Sequence, residues 1–573
     1  LGHQELNTLK RLSEYLVLLF LYGFVFCLIS GFNTWEAFTT SIIGQGPDPY
    51  QYIWNAHNFQ KQFANGGDVF YTPLLMHPEG TSLVMHTYTP VIGMLNVLIK
   101  NPYLSCNVAL ILSFMFSGLG AYLLGFHLIK KRSWAIISGF IFAFSPFKTT
   151  HLLEHYHLLL TATVPFTLLL LFKAFPDHKL HISRNNIWSV FGIACLLALS
   201  FFSDYYTTFA ILVFITVYFT YGLVNSWKWK HWLLIIAVVW IASHLIIEPI
   251  HIQQTMDNKG AFYNTSDVLA FITPPENSLI YGWWNGQNWR EKLAFKGVNE
   301  QVAFLGFGLL LMFFLGLWRS KKSQTKFLSL LLILLFFLVF PKIKIAGASV
   351  SYSPTAFLHY IPFLNNIRNP SRMIMLFYLI LPLWIGLRIE SAEIKTSIKR
   401  VLPILLLLST IIEYVPKAYP KMKKTDVEHV FERLAEEEND LGLWNIPTGL
   451  VDGFQKVGDF DVKHLQRQMV HGKPLVGGYI SRIDSTVFNR FKLNPYIAYY
   501  NLGIGLETIN SFASDTEVKS FIQGMDLGYI VLDTTKISAQ GAEHLEQQFE
   551  SFITEKLVES NFILYKLDQA FRN

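Results

Sequence analysis

About eleven apolar, charge-poor stretches follow one another before residue 415, a pattern unusual for a water-soluble fold that points to lipid as the solvent. They are Tyr15–Phe32, Val108–Leu128, Trp134–Phe147, Leu158–Phe172, Ile187–Phe202, Thr207–Val224, Trp232–Ile247, Val302–Trp318, Phe327–Phe340, Met373–Leu387 and Val401–Ile412. Several are short for a hydrocarbon core of about 30 Å. The chain is 52% hydrophobic and only 15% charged, and the charges gather after residue 415. The reading is mainly α: a polytopic α-helical membrane body over 1–415 and a soluble α/β domain over 416–573.

Charge orients the body. With the N-terminus inside, Lys10/Arg11, Lys130/Lys131/Arg132, Lys173/Lys179/Arg184, Lys228/Lys230, Arg319/Lys321/Lys322/Lys326 and Arg388/Lys395/Lys399/Arg400 all fall in the cytoplasm. An odd number of spans then exports the C-terminal domain to the periplasmic or extracellular side. Tyr15–Phe32 lacks a small-residue cleavage site and reads as an anchor. The first outer loop, 33–107, carries Pro49–Phe63 and Pro90–Ile99, amphipathic stretches suited to lying in the membrane interface. The net charge of +6 is dispersed, with no basic stripe interleaved with aromatics, so nucleic acid is not an expected partner. Cys27, Cys106 and Cys195 offer neither a disulfide framework nor a zinc-knuckle spacing.

After Pro416 charged helical stretches alternate with short β-rich runs: Val427–Glu438, Leu441–Ile446, Ser514–Gly524, Leu527–Leu532, Gly541–Thr554 and Phe562–Leu567.

Chemistry-bearing residues collect in the expected outer segments. Asp48, on the turn Gly44-Gln45-Gly46-Pro47-Asp48-Pro49, can serve as a general base or metal ligand; it also reads as the N-cap of a capping box with Pro49 at N1 and Gln51 beyond it. Lys148, His151, Glu154, His155 and His157 follow the third span. His151 and His155 would share a helical face, and His151-Leu152-Leu153-Glu154-His155 fits the H-x-x-E-H zinc pattern, although the sequence identifies no third ligand. Histidines lining an interfacial polar cavity are the plainer reading. Asp204 and Glu300 sit at span ends, where ionisable groups are costly. Arg368 and Arg372, four apart before a span, suit a phosphate at the membrane surface or snorkel to headgroups.

Taken together these segments resemble the GT-C superfamily of integral membrane glycosyltransferases, in its bacterial multi-span form with an exported C-terminal domain. The resemblance rests on Gly46-Pro47-Asp48-Pro49, His77-Pro78-Glu79-Gly80, Ser145-Pro146, Ser203-Asp204-Tyr205-Tyr206, Glu300 with Phe304-Leu305-Gly306, the Arg368/Arg372 segment, and His471-Gly472-Lys473-Pro474 through Arg482. It implies transfer of a sugar from a polyprenyl-phosphate donor to a glycan, lipid or protein acceptor on the outer face of a bacterial inner membrane, with inversion. It places the base at Asp48 and substrate contacts at Glu79, Lys148, His151, His155, Asp204, Glu300, Arg368 and Arg372. Asp48 is followed by proline where the family commonly has a second acidic residue, so a divalent cation is only a candidate cofactor, with Asp48 or His151/His155 as ligands. The rival expectations are a flippase of lipid-linked saccharides and a zinc membrane protease built on His151, Glu154 and His155.

Overall fold

The computed structural model describes residues 3–84, 86–224, 262, 264–281, 300–318, 325–361, 364, 367–424, 427–453, 455–494, 496–497 and 514–570. The expected span Trp232–Ile247 and the basic groups Lys228/Lys230 and Arg319/Lys321/Lys322 lie outside these residues. The chain divides into two compact units, Leu1–Trp35 with Val108–Lys421, and Glu36–Asn107 with Met422–Asn573. The division therefore differs from a single cut near residue 415, because the first long loop joins the C-terminal chain.

Among the described residues five helices are long and apolar enough to cross a membrane: Leu9–Ser30, Pro102–Ile129, Tyr156–Ala174, Tyr205–Val224 and Pro370–Ser391. Ile187–Phe201, Phe307–Leu317 and Lys326–Val339 are apolar but shorter. The expected span Trp134–Phe147 is a helix of 12 residues, Arg132–Ala143, because Ser145 and Pro146 start a new helix.

The first unit turns large apolar side chains outward: Phe20, Val17, Leu311, Phe314 and Ile404 are all exposed. That surface suits lipid, where packing cannot come from expelling water and depends on close backbone approach. Gly139 provides it, since a Cβ there would meet the Gly118 carbonyl oxygen at 2.7 Å and collide with the Tyr22 hydroxyl. Helix ends inside such a body need internal partners. The start of Phe307–Trp318 finds one in Glu413, whose carboxylate accepts from the backbone N–H of Phe307 at 2.5 Å and of Gly308 at 3.0 Å. The preceding segment is fixed by Tyr414, which donates to the Leu305 carbonyl at 2.5 Å, and by Tyr378, which donates to that of Phe304.

The second unit contains a four-stranded mixed sheet, ordered Ile553–Glu559, Phe562–Leu567, Leu527–Asp533, Gly442–Ile446. Leu527–Asp533 runs parallel to Gly442–Ile446 and antiparallel to Phe562–Leu567. Its seven residues are all buried, which accounts for its continuous apolar run. The helix Asp48–Ala64 packs on Pro90–Ile99 and on Lys463–His471. Trp54, Phe59, Leu74 and Leu75 share one core with Leu443, Trp444, Leu475 and Ile530. The interface expected for Pro49–Phe63 is thus replaced by burial: Tyr52, Ile53, Trp54, Asn55 and Phe59 point into the unit. Pro90–Ile99 keeps Met94 and Leu98 exposed while burying Ile92, Gly93 and Asn96.

Candidate functional site

Ionisable side chains from distant segments converge in the first unit around Glu300. The segment that follows it, Val302–Gly306, is held by Tyr378, Tyr414 and Glu413, so the backbone at residue 300 is anchored from one side. From the other side Ser371 Oγ donates to the Glu300 carbonyl at 2.6 Å. Arg372 grips the carboxylate with two nitrogens, Nε to Oε2 at 2.8 Å and a terminal nitrogen to Oε1. The guanidinium also lies 4.5 Å from the centre of the Tyr206 ring. The Tyr206 hydroxyl in turn accepts from the backbone N–H of Arg368 at 3.1 Å and of Asn369 at 3.2 Å.

The histidines approach the same carboxylate. His155 Nε2 is 3.2 Å from Oε1 and His151 Nε2 is 3.9 Å from Oε2. The single helical face expected for the pair is not what forms. The helix Pro146–His151, capped by Ser145 Oγ, ends at His151, and one further i+4 bond, His155 N–H to the His151 carbonyl at 2.8 Å, keeps the rings adjacent. Glu154, the base of the H-x-x-E-H reading, is not among the groups that converge within coordinating distance, which are His151, His155 and Glu300.

Burial alone would push the Glu300 carboxyl up; the Arg372 guanidinium, through its charge and its bonds, opposes that, and the carboxyl lies well below the usual carboxylate range. Burial, reinforced by the Arg372 charge and opposed by Glu300, lowers His155 to about 3. The neighbourhood thus holds a carboxylate, a guanidinium and a neutral imidazole.

Asp204 stands at the edge of this cluster, with Oδ1 4.0 Å from His157 Nε2. Its other oxygen accepts from Thr207 N–H at 2.6 Å and Thr207 Oγ1 at 2.8 Å, so it caps the helix Tyr205–Val224. Burial raises its pKa and the Thr207 bonds oppose that rise. Lys148 is 1% exposed and turned elsewhere: Nζ donates to Ser117 Oγ at 3.0 Å and Ser113 Oγ at 3.3 Å, over the Phe114 ring at 4.2 Å. The two arginines are not equivalent phosphate ligands, because the Arg372 charge is committed to Glu300 while Arg368 meets Tyr206 through its backbone.

Asp48 belongs to the second unit. It is the first residue of its helix, after a Pro47 N-cap that makes no side-chain bond, so the capping box does not form. Its Oδ1 instead accepts from the Tyr479 hydroxyl at 2.7 Å, and Gln51 Nε2 donates to the Tyr479 carbonyl at 3.3 Å. Glu79 is paired with Arg490 in the same unit.

Residues 19–411 match the model of a family described as "Domain of unknown function (DUF6311)". The chain belongs to this family. No curated protein matches it. Among solved structures, this chain is similar to the archaeal oligosaccharyltransferase AglB from Archaeoglobus fulgidus, solved with an inhibitory peptide and a dolichol-phosphate, at 12% identity over 98% of this chain and 75% of that one, TM-score 0.42. A mutant form of the arabinofuranosyltransferase AftD from Mycobacteria is similar at 14% identity over 96% of this chain and 41% of that one, TM-score 0.50. At 14% identity the second likeness shows the fold.

Proposed function

We propose that this chain is a GT-C glycosyltransferase that moves a sugar from a polyprenyl-phosphate donor to a glycan, lipid or protein acceptor, with inversion. The observation that carries the proposal is the Glu300–Arg372–His151–His155 cluster, an assembly of ionisable groups inside an apolar helical unit. Buried ionisable groups in a membrane body are costly and mark substrate or ion sites. The fold shared with an arabinofuranosyltransferase supports sugar transfer among the reactions such a cluster can serve. In this reading Asp48 is the base toward the acceptor, kept oriented by Tyr479, and the cluster binds the polar end of a substrate. The chain sits in a bacterial inner membrane with its N-terminus cytoplasmic, and both long soluble segments face outward, as the basic inner loops support.

Lipid extraction from the purified protein tests the donor. A polyprenyl phosphate, free or sugar-linked, is expected to copurify with wild type and to be depleted when Glu300→Gln and Arg372→Met are combined. Ordinary phospholipid alone in the wild-type extract would contradict the donor class.

A further inference from the structure

We infer that His151, His155 and Glu300 form a binding site for one divalent transition-metal ion of the zinc class. His151 supplies the decisive geometry. Its ring is 1% exposed, and Nδ1 stands 2.7 Å from the Phe147 carbonyl oxygen. A carbonyl can only accept, so Nδ1 carries the proton, and in the neutral ring Nε2 keeps its lone pair. That Nε2 is buried and has no hydrogen-bond partner among the described residues, and it faces Glu300 Oε2 across 3.9 Å. A cation bound by both atoms would fill that gap and use the unpaired nitrogen.

The spacing is close to that of a coordination shell. Bonds of about 2.0–2.1 Å in a tetrahedron put neighbouring ligand atoms about 3.4 Å apart. The Glu300 oxygens are 3.2 Å and 3.9 Å from His155 Nε2 and His151 Nε2, and one ligand atom from each of the three residues lies within 4.8 Å of the others. Two imidazole nitrogens with one carboxylate oxygen favour zinc over magnesium or calcium, and three protein ligands leave the fourth position open. The supports around the ligands are those of metal sites: a backbone carbonyl on the far nitrogen of His151 and an arginine on the ligating carboxylate. Each carboxylate oxygen retains a second lone pair after Arg372 is satisfied. Glu300 and Arg372 cancel in charge, so the ion's own charge favours water as hydroxide, or another anionic oxygen, at the open position.

This inference stands apart from the transferase reading, because metal binding is measured without substrate. Full-length protein in detergent is stripped with chelator and titrated with Zn2+, with Co2+ as the spectroscopic probe. One zinc per chain and a visible cobalt band are expected. His151→Ala and His155→Ala should each weaken binding by more than about 100-fold, since even outer supports contribute 10–100-fold. Glu300→Gln should do likewise, and His429→Ala, an exposed histidine, should change nothing. Thermal unfolding of each variant shows whether it is folded, and the two histidine variants decide the matter if Glu300→Gln is not. Zinc occupancy no higher in wild type than in the His151→Ala/His155→Ala double variant would overturn the inference, as would full affinity in both single variants.

Discussion

Arg372 and Glu300, 72 positions apart, form a two-nitrogen clamp inside the membrane unit, with Nε at 2.8 Å from Oε2. The clamp joins the first residues of the span Pro370–Ser391 to the segment that enters Phe307–Leu317. It therefore holds the cluster together as well as charging it.

Breaking one side of a buried pair leaves the other charge uncompensated, at a cost of about 3–5 kcal/mol. Arg372→Met alone should destabilise the protein by about that much in denaturant titration. Combining it with Glu300→Gln should recover a large part, which separates pairing from packing.

Tyr479→Phe removes only the hydroxyl that bonds Asp48. A hydrogen bond to a carboxylate contributes about 1.5–3 kcal/mol. Denaturant unfolding should show a loss in that range, and transfer, assayed as below, should fall by on the order of tenfold, the equivalent of the lower figure.

Gly306 has φ +91° in the segment between Glu300 and the capped helix, and a Cβ there would lie 2.8 Å from Glu413 Oε2. Left-handed backbone costs an L-residue roughly 1–2 kcal/mol before any contact is counted. Gly306→Ala should cost about 2 kcal/mol or more by denaturant titration and should loosen Glu300.

The second unit carries a pH dependence at His86. Its Nε2 bonds Asn55 Oδ1 at 3.1 Å and its Nδ1 accepts from Ser481 N–H at 3.0 Å, so the neutral ring is fully used. Burial lowers its pKa to about 3 from an ordinary 6.5. The unfolded chain takes up the proton first as pH falls, so this contribution is complete above pH 6.5 and is lost toward pH 3. Between pH 7 and pH 5 wild type should lose about 2 kcal/mol of stability that His86→Gln does not lose. Equal losses in both proteins would show that His86 is not the source of the pH dependence.

The five long apolar helices are legible in the sequence because lipid demands long apolar runs, and Leu527–Asp533 because a strand buried on both faces is continuously apolar. The placement of Asp48–Ala64 was not. Its alternation of aromatic and polar residues reads equally as an interfacial helix or as one whose polar side chains bond inside a core, as Trp54 does to Gln468 at 2.6 Å. The His151/His155 pair was visible as a spacing, whereas Glu300 as its third member depends on a fold that closes 145 residues. Glu413 carries a signal of its own, a carboxylate at the end of an apolar run. Nothing in the spacing of Tyr479 points to Asp48, 431 positions away.

The proposed reaction is sugar transfer from a polyprenyl-phosphate donor with Asp48 as the base. Purified protein in liposomes, given radiolabelled polyprenyl-phosphate sugars and a bacterial membrane extract as acceptor, measures it directly. Wild type should move label from donor to acceptor, and Asp48→Asn, equally folded, should slow that transfer by more than about 100-fold, the range of general-base loss. Label that stays on the donor with every sugar tried, or that moves equally fast with Asp48→Asn, would contradict the claim.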